Sequence, residues 1–284
     1  MIARHDEGRL ARRKTAGPSL YFNVTLPAAT PEVVVGLLHG YAEYGARYAH
    51  VVDLWAERGI ASVTIDMRGH GRADGPRGYC KEFSEYLDDV TEMRALIDER
   101  TPSAPRILFG HSFGGLVAAT AALAAPSDWR ALVLSSPFFG VAMRIPPSQK
   151  MAGQVMSRIL PRVGMPSGLR GRDVTHDAAR ARAYDEDPLA FKNANSRWFT
   201  ECEAAQDSAI ARAGSLAMPL YAFMGTADRI AKIERAREFF DAAGSADKTW
   251  VPLEGLYHET LNETEWQPVA TGVADWMLAH ARSR

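Results

Sequence analysis

Gly110-His111-Ser112-Phe113-Gly114 places a serine between two glycines directly behind the apolar run Arg106-Ile107-Leu108-Phe109. A serine hydroxyl attacks an acyl carbon only when it stands clear of the backbone, so the chain must turn sharply from strand to helix around it. Glycine at both flanks permits that turn. The alanine-rich run from Leu116 to Ala125 predicts a helix whose positive N-terminal end faces the hydroxyl and the oxyanion forming beside it. A Gly-x-Ser-x-Gly match is weak alone. Here the strand before it, the helix after it and the further small residue Gly115 supply the context that makes Ser112 a candidate nucleophile rather than an idle serine in a glycine-rich turn.

The elements that must position this serine read as alternating strands and helices. Short apolar or β-branched runs at Ser19 to Leu26, Glu32 to Leu38, Ala61 to Ile65, Arg106 to Phe109, Ala131 to Leu134, Pro219 to Met224 and Lys248 to Leu253 predict strands. Helical periodicity occupies Ala49 to Arg58, Phe83 to Arg100, Ser112 to Ala125, Lys232 to Ala243 and Thr264 to Ala281. Continuous apolar strands such as Val33-Val34-Val35-Gly36-Leu37-Leu38 require helices on both faces, which a mostly parallel sheet provides. Thr15-Ala16-Gly17-Pro18, with no helix beside it, predicts an antiparallel hairpin at the start of the sheet, and the cluster Arg9, Arg12, Arg13, Lys14 reads as a solvated strand face.

From Pro137 to about Arg197 no strand is predicted, and Pro146-Pro147, Pro161 and Pro166 are mixed with Met143, Met151, Met156 and Met165. The expectation is an inserted helical cap over residues 137–197, with residues 1–136 and 198–284 forming the core domain. Met151, Val155 and Ile159 fall on one helical face with Leu160. Such a stripe can line a channel for apolar chains or pack the cap onto the body, and flexible methionines suit either.

A serine nucleophile needs a base and a carboxylate that orients the base. In an α/β-hydrolase arrangement the acid and then the histidine follow the serine, each on a loop leaving the carboxyl end of a strand. Of the 8 histidines, His176, His258 and His280 come after Ser112. His176 falls in the predicted cap and His280 in the terminal helix, whereas His258 follows the strand Lys248 to Leu253. The acid by the same rule is Asp228, after the strand Pro219 to Met224, although a turn aspartate ahead of a helix is also a common cap. Asp241 belongs to a helix, Asp247 precedes its strand, and Asp207 is close to the cap. The oxyanion needs two backbone donors: Phe113 supplies one, and the turn His39-Gly40-Tyr41 behind the strand Glu32 to Leu38 can supply the other through Tyr41. His39 reads as a residue that holds this turn by hydrogen bonds.

His39-Gly40-Tyr41-Ala42-Glu43 with Arg47-Tyr48, then Asp66-Met67-Arg68-Gly69-His70-Gly71, then Gly110-His111-Ser112-Phe113-Gly114-Gly115 resemble the monoacylglycerol lipase and lysophospholipase-like group of α/β-hydrolases, over about Gly36 to His258. The resemblance implies an α/β-hydrolase fold with a cap, Ser112, Asp228 and His258 as triad, Tyr41 and Phe113 as oxyanion donors, and Glu43 with Arg47 near the alcohol part of the ester. Tyr44 stands where the group commonly has histidine after the motif glutamate, and Arg72-Ala73 follow the Arg-Gly-His-Gly turn where a serine is expected.

The reading is hydrolysis of a carboxylic ester through an acyl-serine, on a monoacylglycerol or lysophospholipid-type substrate whose acyl chain runs under the cap, with a thioesterase or acyltransferase on the same residues, or a silent hydrolase-fold receptor, as alternatives. No cofactor or metal is implied. A net charge of −1 leaves no footprint for nucleic acid. Two cysteines without metal-ligand spacing suit a reducing compartment, and no stretch approaches a signal or a membrane span. The expected setting is the cytoplasm, with transient contact between the cap and lipid surfaces.

Overall fold

The computed structural model describes residues 4–143 and 146–282. Residues 1–3 and 283–284 of the expected core and 144–145 of the expected cap lie outside them. Strands β1 (Arg4–Leu10), β2 (Leu20–Leu26), β3 (Val33–Leu38), β4 (Ile60–Asp66), β5 (Arg106–His111) and β6 (Ala131–Ser135) alternate with helices α1 (Ala49–Glu57), α2 (Ser84–Arg100) and α3 (Phe113–Ala124). Between β6 and the next sheet strand come α4 (Pro147–Ile159), β7 (Gly164–Pro166), α5 (Gly171–Val174), α6 (Ala178–Glu186), β8 (Asn193–Asn195) and α7 (Ser196–Arg212). The chain ends with β9 (Leu220–Gly225), α8 (Ile233–Ala242), β10 (Lys248–Leu253) and α9 (Trp266–Arg282).

Eight strands form one sheet in the order β1-β2-β4-β3-β5-β6-β9-β10. β2 pairs antiparallel with both neighbours, as the expected opening hairpin requires, and the pairs from β4 to β10 are all parallel. Alternation along β3 splits the core in two. Val34 and Leu38 join the side packed by α2 and α3, while Val33, Val35 and Leu37 join the side of Trp55 and Val273 from α1 and α9. The chain leaves β3 toward β4 on one side and returns to β5 on the other. This reversal opens a crevice beyond the carboxyl ends of β3 and β5, where ligands bind in open α/β sheets.

Three readings are corrected. The basic cluster is not a wholly solvated face, because Arg12 is buried against Asp89 of α2, which Arg68 also pairs, and the other Arg12 guanidinium nitrogens donate to Pro18 O and Thr15 Oγ1. The segment after β6 contains strands: β7 and β8 pair antiparallel over three residues, too few to show a period. Helix α7, 17 residues long, went unread. Its signals are present: Asn195 accepts from the backbone of Arg197 and Trp198 as an N-cap, and Trp198, Cys202, Ala205 and Ala209 are buried at helical spacing.

The elbow rests on two glycines. A Cβ on Gly114 would stand 2.4 Å from the carbonyl oxygens of Leu38 and His39, and one on Gly110 would stand 2.2 Å from the Gly114 oxygen. Both are backbone atoms that cannot swing aside. Gly114→Ala is therefore expected to lower unfolding free energy by about 3 kcal/mol, measured by urea denaturation, against a near-neutral Gly153→Ala, whose Cβ would meet nothing within 4 Å.

Candidate active site

Ser112 sits at φ 52°, ψ −118°, in the left-handed half of the map that a residue with a Cβ occupies only at a cost of about 1–3 kcal/mol. The surroundings over-determine it. Its N–H donates to the Ser135 carbonyl at 2.9 Å, and its own carbonyl accepts from Gly115, Leu116 and Phe138. The strained turn lifts the hydroxyl to His258, with Oγ 2.8 Å from Nε2. His258 Nδ1 is 2.7 Å from Asp228 Oδ2, and the other Asp228 oxygen accepts from Ile230 N (2.8 Å) and Ala231 N (3.0 Å). Register explains the convergence: Leu253 lies beside Gly225 across β9 and β10, so the loops carrying Asp228 and His258 leave the same sheet edge.

Burial alone would lower the His258 pKa, but Asp228, with smaller contributions from Glu259 and Glu43, outweighs it and raises the group above 6.5. Burial would raise Asp228, yet the His258 charge and hydrogen bond and the two backbone donors hold it below 3.8. An ionised Asp228 can only accept, so the imidazole proton belongs on Nδ1 and Nε2 turns its lone pair to Ser112. The excluded histidines are occupied elsewhere: His176 Nδ1 meets Glu263 and His280 Nε2 meets Asp247. Asp207 pairs with Arg235 at the surface.

Among the described residues, the backbone N–H groups of Tyr41 and Phe113 make no hydrogen bond, and both residues line the cavity at Ser112. Leu38 pairs with Gly110 across β3 and β5, which sets the two donors on one edge. His39 keeps this turn, with Nδ1 donating to the Gly40 carbonyl (2.7 Å) and Nε2 accepting from Met67 N (3.0 Å). The Tyr41 ring stacks on Trp198 at 3.6 Å, so helix α7 also supports the turn that carries Tyr41.

A cavity of about 480 Å³ opens from Ser112 and His258 between the sheet edge and the segment before β9, lined by Phe138, Ala152, Met156, Met165 and Trp198 among others. Met151, Val155 and Ile159 do not line it. They are 64%, 49% and 69% exposed, because α4 turns Ala152 and Met156 inward and that stripe to solvent. The helical spacing was real; its inward direction was wrong. Arg47 likewise stands outside the cavity wall, its guanidinium consumed by Glu43 and Glu259, whereas Glu43 itself lines the cavity. Phe138, Met156, Trp198 and Glu259 were not anticipated.

Fold and side-chain arrangement together define a serine hydrolase of the α/β-hydrolase class. The family model described as serine aminopeptidase, S33, matches residues 29–265, and the chain belongs to that family. It is 30% identical over 266 residues to a monoacylglycerol lipase of Mycolicibacterium smegmatis, covering 93% of this chain and 94% of the relative, and 30% identical over 256 residues to phospholipase YtpA of Bacillus subtilis, covering 86% and 95%. The crystal structure of Paleococcus ferrophilus monoacylglycerol lipase superposes with a TM-score of 0.83 at 27% identity, over 92% of this chain and 99% of that one.

Because Nε2 must be unprotonated to take the serine proton, kcat/KM is expected to rise with pH through a midpoint above 6.5. The sign for stability is opposite: the raised pKa means the ion pair supports the fold below the ordinary histidine range and loses that contribution as pH climbs through the midpoint. Asp228→Asn should lower the midpoint and cut kcat by about 10⁴. A pH–rate profile that keeps the wild-type midpoint in Asp228→Asn contradicts this assignment.

Proposed function

We propose that the protein hydrolyses a monoacylglycerol or lysophospholipid-type ester through an acyl-serine intermediate, with Ser112 as nucleophile, His258 as base and Asp228 as its orienting acid. The observation that carries the reading is Ser112 Oγ at 2.8 Å from His258 Nε2 on the wall of an apolar cavity. His258 takes the Ser112 proton as Oγ bonds to the ester carbon, and the carbonyl electrons move to an oxyanion that Tyr41 N and Phe113 N receive. The imidazolium then gives that proton to the departing alcohol oxygen. In the second half His258 deprotonates water, which attacks the acyl-serine, and the proton returns to Ser112 Oγ as the carboxylic acid leaves. A thioester, or an alcohol in place of water, would use the same steps. A silent receptor would have no reason to keep all three side chains in register.

The lipid class is supported by the two relatives, a monoacylglycerol lipase and a phospholipase, and by the apolar lining. Residues 137–197 serve in this reading as the cap, its inner face receiving the acyl chain and its outer face resting on a lipid surface. Met143 and Met165 are exposed and also line the cavity, so apolar side chains stand at its opening to solvent. No helix among the described residues is long and apolar enough to cross a membrane. The cytoplasm fits two unpaired, buried cysteines, Cys80 and Cys202.

Ser112→Ala should lower kcat by about 10⁴–10⁶ and abolish labelling by a fluorophosphonate probe; a variant with a tenth of wild-type turnover rejects the mechanism. Affinity for saturated monoesters should improve by about 0.8 kcal/mol per buried CH₂ until the cavity is full. Met156→Asp, on the inner face, should then raise KM for a long-chain ester far more than for an acetyl ester. The double variant Met151→Asp/Ile159→Asp should instead leave acetyl-ester turnover intact and reduce co-sedimentation with phosphatidylcholine vesicles. Equal losses on both esters from Met156→Asp would move the substrate toward small esters.

A further inference from the structure

Glu43, Arg47 and Glu259 form a buried bridge that the steps above leave without a task. Arg47 Nη1 donates to Glu43 Oε2 at 2.6 Å and to Glu259 Oε1 at 2.8 Å, and Nη2 donates to Glu259 Oε2 at 2.8 Å. The second Glu43 oxygen accepts from Gly40 N at 2.5 Å and from the Tyr48 hydroxyl at 2.9 Å. Gly40 immediately precedes Tyr41, and Glu259 immediately follows His258. A single guanidinium therefore spans from the turn with one oxyanion donor to the loop with the base.

Stability alone does not explain such a bridge. Two carboxylates and one guanidinium sealed from water carry a large desolvation cost, and an apolar trio of similar volume often holds a fold as well or better. What charge and fork geometry add is fixed direction. The bridge is itself braced from the segment after β6: Asn262 donates to Glu259 Oε2 at 2.9 Å and accepts from Arg180 of α6 at 2.7 Å, and Glu259 N donates to the Val174 carbonyl of α5 at 2.8 Å.

We propose that Arg47 and Glu259 are positioning residues for the reaction, their bridge to Glu43 holding the oxyanion turn and the His258 loop at one spacing so that both act on the same carbonyl. The inference rests on the Ser112–His258 reading. The bridge also carries one surplus negative charge beside the imidazole. The charged and titratable groups facing Glu259 are Arg47, Arg180, Tyr48, Tyr184 and His258, and those facing His258 are Asp228, His111, Glu43 and Glu259.

The test compares full-length wild type, Glu259→Gln and Arg47→Lys on a monoacylglycerol and on p-nitrophenyl butyrate, which has no polyol, across pH. Both variants should lose up to about 100-fold in kcat on both esters with KM near the wild-type value. Glu259→Gln removes an anion near the imidazolium and should also lower the midpoint of the pH profile. Arg47→Lys keeps the charge, loses the fork, and should leave the midpoint in place. A folded Glu259→Gln with wild-type kcat and midpoint overturns the proposal, as does a defect confined to KM for the monoacylglycerol, which would make the pair a headgroup site. If circular dichroism shows Glu259→Gln unfolded, the milder Arg47→Lys decides: wild-type kcat overturns the proposal and a loss on both esters supports it. Fluorophosphonate labelling of wild type separates the two levels, since an unlabelled Ser112 defeats the serine mechanism itself rather than this inference.

Discussion

A serine forced to φ 52° between strand and helix is the constraint around which the carboxyl edge of the sheet is organised. That conformation is affordable only because Gly110 and Gly114 let three backbone segments approach within distances that any Cβ would block. The close approach of Gly114 to Leu38 and His39 brings the His39–Tyr41 turn beside Ser112. The same contact that relieves crowding therefore assembles half of the site.

The other half depends on buried charge. Asp228 is ionised by design of its surroundings, with one oxygen on the imidazole and the other on two backbone N–H groups, so His258 has one tautomer and one orientation. Further out, Glu263 takes Thr175, His176 and Tyr257 N into a fully buried carboxylate that fastens the loop after His258 to the entry of α6. The His258 loop, the His39–Tyr41 turn and the segment above the cavity thus share one hydrogen-bonded frame.

Helix α4 divides two apolar tasks between its faces. Met156 and Ala152 complete the cavity wall, and Met151, Val155 and Ile159 meet solvent in an exposed patch of a kind that marks an interaction surface. Met143 and Met165 are exposed and also line the cavity.

Much of this was legible from residue order. Strand apolarity, helix periodicity and the Gly-Ser-Gly turn are local, because each reflects the backbone conformation or burial of a contiguous run. They located β2–β6, β9 and β10, the helices α1, α2, α3, α8 and α9 but not α7, and the order Ser112, Asp228, His258 that the structure brings within hydrogen-bond reach. Direction and partnership were not local. A stripe at Met151, Val155 and Ile159 has the same spacing whether it faces a cavity or solvent, and the choice depends on which side of α4 faces the cavity that Trp198 and Phe138 also line, residues 39–47 and 13–21 positions away in sequence. Arg12 reads as a surface cation and Arg47 as a substrate contact in the sequence, and both are instead held in ion pairs because carboxylates from α2 and from the loop after β10 reach them. Only the folded chain sets those distances, since an ion pair across 77 or 212 residues leaves no periodic trace in either segment.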